Sequence, residues 1–255
     1  MQIIKRNRTE ILLSCIVSII GVIVLCITES VISKNTVISF PIELWIDGSK
    51  MLDFFFPLFI SLPFSWIMYY EKKDGFINYA SVRKERKKYL FERILSGMIS
   101  AFIVTFVIYY VGLVVAILFL HPENLVEDNI IYRYLWGHFQ AEKPLMFGLI
   151  WCAWKGVIGS VICGFSYLVA LCVDNIYVVA LLPFIYCTLE NFVTGTLHLE
   201  KYSVTTTYIL NRLAPANMGV IHYFAGMVTF VLIGGIIIIG IKKKQKRDGN
   251  FEESN

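Results

Sequence analysis

Two charged residues stand inside long apolar runs, and any chemistry in this sequence starts with them: Lys155 in WCAWKGVIG and Glu190 in YCTLENFV. An isolated charge at mid-depth in a bilayer costs at least ~2.5 to 3.5 kcal/mol, so such residues pair, face a polar cavity or reach for an interface. A Lys155–Glu190 pair between neighbouring helices is one expectation; snorkelling of each side chain to the outer interface is the other. The histidines His121, His138, His198 and His222 show no H-E-x-x-H or comparable ligand spacing, so no metal site is expected. Cys15, Cys26, Cys152, Cys163, Cys172 and Cys187 all fall in apolar runs and read as small hydrophobes, not as a disulfide framework. Neither a G-x-S-x-G nucleophile elbow nor a G-x-x-x-x-G-K-[ST] phosphate loop occurs, so no catalytic residues and no cofactor are expected on this chain.

The elements that carry these residues belong to a membrane. Of 255 residues, 57% are hydrophobic and only 16% charged, against the quarter usual in soluble domains, and the mean hydropathy is +0.66. The apolar residues gather in runs long enough to span a bilayer as helices, at Ile11 to Ile27, Leu52 to Tyr70, Ile94 to Leu120, Leu145 to Val173, Ile176 to Val193 and Met218 to Ile241. The expected fold is all-α: one polytopic membrane domain over 1-255 with six transmembrane helices. The roughly ten-residue alternation of a β-barrel is missing. The basic start, with Lys5, Arg6 and Arg8, resembles a signal peptide but has no small-residue cleavage site, so it is expected to be a retained helix. The small residues Gly156, Gly159, Ser160 and Gly164 predict a close helix contact rather than a phosphate cradle.

Orientation follows from the cations, which stay on the cytoplasmic side during insertion. In the six-span arrangement the amino terminus carries three, the 71-93 loop eight and the tail Lys242 to Arg247 five, against six on the opposite side. Both termini are therefore expected in the cytoplasm. The basic tail suits anionic lipid headgroups, and no nucleic-acid partner is expected.

The one sizeable cytoplasmic loop reads EKKDGFINYASVRKERKKYLFERIL. Such a block satisfies the positive-inside rule without further function. Phe76, Ile77, Tyr79 and Ala80 nevertheless share one face of a short surface helix. Ser81 is positioned to cap a following helix that carries Glu85 and Arg86 into the third span. Helix two opens LDFFFPLFISLPFSW, where Pro57 and Pro63 predict a bend. Its Phe54, Phe55, Phe56, Phe59 and Phe64 are either ordinary packing and lipid-facing residues or the lining of a route for hydrophobic cargo.

The loop resembles the segment between the second and third helices of ABC-2 type permeases, the membrane subunits of type V ABC exporters. The matching residues are Glu71, Gly75, the stretch Phe76 to Ala80, the pair Glu85 and Arg86, and Arg93. Six helices, a tight turn at Asp174 and Asn175, and a longer outer segment over 194-217 extend the likeness. The family's Pro before its Ser-Arg pair is absent, and Glu85 replaces the Ser. The resemblance implies a coupling loop made of Glu71, Gly75, Phe76, Ile77, Tyr79, Arg83, Arg86 and Arg93. It also implies two copies of a separate ATPase that binds ATP and Mg, and a second permease, identical or homologous. Helices two and five would line the route, and 194-217 would form re-entrant outer helices. The function implied is ATP-driven export of an amphipathic or hydrophobic substrate (peptide, lipid or drug) across a bacterial plasma membrane, for secretion or drug resistance. The competing expectation is a non-transporting adaptor or sensor that docks a cytoplasmic regulator on the same loop.

Overall fold

The computed structural model describes residues 2–82, 85–122, 126, 130–215 and 218–252, with side chains described from residue 10 to residue 240 except at position 81. Apolar runs in lipid must satisfy every backbone donor and acceptor within themselves, and the helix does this. The described residues accordingly form α1 (Gln2–Asn35), α2 (Pro41–Phe54), α3 (Phe56–Lys73), α4 (Phe76–Ser81), α5 (Arg86–Leu118), α6 (Gly137–Glu142), α7 (Pro144–Cys172), α8 (Ile176–Thr196), α9 (Val204–Tyr208) and α10 (His222–Glu252). Among the described residues, five helices are long and apolar enough to cross a membrane, and α2 with α3 makes a sixth if the bent pair is one span. The chain is a helical membrane protein.

The second span departs from its expected bounds. Helix begins at Pro41, not Leu52, and the pair bends by 50° at Phe55. Pro57, in the first turn of α3, supplies no N–H to the preceding turn and disfavours helical geometry in the residue before it, so the helix breaks there. Pro63 sits inside α3 with no interruption of the helix.

α5 and α7 form the antiparallel centre of the bundle. A Cβ on Gly148 would lie 2.1 Å from Leu113 Cδ2, and one on Gly156 2.8 Å from Phe102. Ser160 donates a 2.8 Å hydrogen bond to the Met98 carbonyl. The expected small-residue contact is thus the α5–α7 seam. α1 runs parallel to α5, with Gly21 against Ile108 and Leu25 against Gly112. Its other face exposes Ile19, Ile23 and Ile27. α3, α4 and the start of α5 define the basic end of the bundle; the start of α7 marks the far end.

Candidate functional site

The site begins at the turn after α3. Gly75 has φ 69°, a left-handed conformation that only glycine adopts without strain, and its carbonyl accepts from the amides of Asn78 and Tyr79 at 3.0 and 3.2 Å. This turn starts α4, close to the expected 76–80 helix. Ile77 is buried, Phe76 and Ala80 are half-buried, and Tyr79 is 54% exposed. Three of the four expected face residues therefore pack inward and the fourth is presented outward. Ser81 ends α4, and α5 starts at Arg86 with Glu85 at its N-cap. The N-cap position of α5 is therefore Glu85 and not Ser81, whose side chain lies outside the described residues. Arg86 is exposed; Arg83 lies outside the described residues.

A chain of contacts runs from α4 into the bundle. The Phe76 ring lies 6.3 Å from that of Tyr89, whose hydroxyl donates to Glu71 Oε2 at 2.9 Å. Glu71 Oε1 is 3.0 Å from Arg93 Nε, and Arg93 Nη1 bonds Glu10 Oε2. Ser100 donates to the other oxygen of Glu10 at 3.1 Å. Arg93, Glu71 and Glu10 are each at least 94% buried. One guanidinium thus ties α1, α3 and α5 together where α4 meets them. Lys72 extends the linkage to the α7–α8 turn, pairing with Asp174 at 2.6 Å.

A second buried cluster lies at the α2–α3 bend. Lys155 Nζ is 2.6 Å from Asp53 Oδ1, which also accepts from the Tyr109 hydroxyl at 2.5 Å, while Asp53 Oδ2 accepts from Ser49 at 3.3 Å. Nζ also stands 3.8 Å from the centroid of the Tyr109 ring, a cation–π geometry. Lys155 therefore pairs with Asp53, neither with Glu190 nor by snorkelling. Asp53, within the expected second span, is the penultimate residue of α2 and is buried just before the bend.

Glu190 has a different role. It accepts from the Ser203 hydroxyl at 2.8 Å and the Val204 amide at 3.1 Å, holding the first turn of α9. Arg212 bonds Thr205, Thr206 and Asn191 beside it. Burial pulls the pKa of the Arg212 guanidinium down, and Tyr208, Glu190 and Glu200 oppose that shift. α9 is wholly buried; Trp154 Nε1 donates to the Thr207 carbonyl at 3.1 Å, and the Tyr208 ring lies 4.8 Å from that of Phe56. Glu190→Ala removes an acceptor from two polar groups, at about 1–3 kcal/mol locally. Hydrogen exchange over 203–208 should then quicken.

The five phenylalanines do not share one surface. Phe56 and Phe64 are fully buried and Phe59 half-buried, whereas Phe54 and Phe55 are 54% and 41% exposed and pack on Phe184 of α8 at 5.7 and 5.9 Å. At the far end, Trp136, Phe147, Trp151, Trp154, Tyr223 and Phe224 line an apolar cleft. Glu10, Asp53, Tyr89 and Arg212 belong to these networks without having been singled out in the sequence. Glu10 and Asp53 sit at the edges of apolar runs, and that position is the only signal they gave. Among the described residues, no group of three His, Cys, Asp or Glu is placed to hold a metal ion.

The chain matches no family model, no curated protein and no solved structure.

Proposed function

We propose that this chain is the membrane-spanning permease subunit of an ATP-driven exporter, coupled through 71–93 to a separate ATPase. One observation carries the reading: the short helix α4 is joined through Phe76, Tyr89, Glu71, Arg93 and Glu10 to three membrane helices at once. A partner that displaces α4 acts on a rigid lever, because breaking the buried charges costs far more than moving them together. The exposed Tyr79 and Val82 are the surface offered to that partner. Both termini and α4 face the cytoplasm of a bacterial cell. The assembly holds two ATPases, which bind ATP and Mg, and a second permease. ATP acts by changing the relative free energies of two bundle arrangements. The exposed Phe54 and Phe55, with Phe184, and the aromatic cleft at the far end suit an amphipathic or hydrophobic cargo such as a peptide, lipid or drug.

The test uses Tyr79→Cys in a chain whose own cysteines are replaced. In inverted membrane vesicles, a membrane-impermeant maleimide should label position 79 slowly while peripheral proteins are bound and quickly after they are stripped. ATP should change the rate before stripping. Labelling only from the outside of intact cells would overturn the orientation, and a rate indifferent to stripping and ATP would overturn the coupling.

A further inference from the structure

Glu29 of α1 is fully buried, and neither of its carboxyl oxygens has a hydrogen-bond partner among the described residues. The space it occupies is built for it. A Cβ on Gly48 of α2 would lie 2.5 Å from Glu29 Cγ, and one on Gly112 of α5 would lie 3.1 Å from Glu29 Oε1. Two glycines on two helices leave a slot that a methyl group would fill. Leu25, one turn earlier on α1, is also fully buried and closes the slot on that side.

The neighbouring ionisable groups are committed elsewhere. On α2, Lys50 pairs with Asp47 at 2.6 Å, Glu43 accepts from the amides of Ser39 and Phe40, and Asp53 is held by Lys155, Tyr109 and Ser49. On α5, Tyr109 donates to Asp53, and Tyr110 stacks on Phe106. On α1 itself, Cys26 is a free thiol and Lys34 is exposed. α3 also touches α1, but its Glu71 is engaged by Arg93 and Tyr89. Thr28 donates to the Gly48 carbonyl at 2.8 Å. Among the described residues, the one lysine buried in this part of the bundle is taken by Asp53, and none of them offers Glu29 a cation.

An ionised carboxylate without a partner in such a place is far costlier than the neutral acid. We propose that Glu29 is a proton-binding site: a carboxylic acid held neutral between α1, α2 and α5, which releases its proton to water when α1 separates from the other two helices. The step is a simple dissociation of the O–H bond, leaving the carboxylate hydrated and the proton on solvent. The packed arrangement binds one more proton than the separated one, so it weakens as pH rises above about 4, where a hydrated carboxyl ionises.

The experiment compares the full-length protein with Glu29→Gln in lipid nanodiscs. At neutral pH the infrared difference spectrum should show loss of the carbonyl band of a protonated carboxylic acid, with the carboxylate bands unchanged. Glu29→Gln, which mimics the neutral acid in shape, should melt near the wild-type temperature at about pH 4, where a free carboxyl is still largely protonated, and should melt above wild type at neutral pH, because only wild type loses stability as pH rises. Loss of carboxylate bands would overturn the proposal. So would a Glu29→Gln variant that melts well below wild type or does not fold, because an amide that cannot replace the side chain means that the native group is charged and paired. The proposal does not depend on the exporter reading.

Discussion

Arg93→Met should destabilise the protein by about 3–5 kcal/mol, because it leaves Glu71 and Glu10 buried together without their cation. Denaturation in mild detergent reads this as a fall in midpoint. The triple change Arg93→Met, Glu71→Gln, Glu10→Gln should recover much of the loss, since replacing a whole buried ionic group with neutral side chains is often close to neutral. In the exporter reading the two proteins diverge in activity: the restored triple variant folds but no longer ties α4 to α1, so nucleotide at the partner should have a weaker effect on the bundle. Full stability loss in the triple variant would mean that packing, not charge, holds these helices.

The second large effect is at Lys155. Lys155→Met leaves Asp53 buried without its cation, with a similar cost of about 3–5 kcal/mol. Adding Asp53→Asn should restore much of it, while adding Glu190→Gln should give only the sum of two separate losses, since the two residues share no partner. The double-mutant cycle therefore separates the observed pairing from the one that helix order alone suggests. Equal coupling of Lys155 to both acids would contradict the geometry.

Much of the architecture was legible in the sequence. The helices α5, α7 and α8 lie within a few residues of their apolar runs, except that α5 starts eight residues before Ile94, in the charged segment expected to carry a helix into the third span. Hydropathy hid the start of α2. PIELWIDGSK carries Glu43, Asp47 and Lys50, yet it buries Ile42, Leu44, Trp45 and Ile46 on one side and forms an amphipathic helix. The loop helix was legible because its apolar spacing and Gly75 are local features. The charge partners were not, because Asp53 lies 102 residues from Lys155 and Glu10 lies 83 from Arg93. Nothing local to either residue encodes which distant helix comes beside it. The phenylalanine run divides for a local reason: consecutive residues on a helix point around its circumference, and at the break at Phe55, Phe54 and Phe55 are exposed and Phe56 is buried.

The central claim is that a separate ATPase drives this chain through α4. Its most direct test is purification of the tagged protein from native membranes in mild detergent, with the accompanying proteins identified by mass spectrometry. Wild type should bring a Walker-motif ATPase, and Tyr79→Asp, which changes an exposed side chain and leaves the buried network intact, should lose it while keeping the wild-type melting temperature. A well-folded wild type that repeatedly brings no ATPase, or brings a different cytoplasmic protein that Tyr79→Asp releases, would contradict the exporter reading, and the second result would make the chain a docking adaptor.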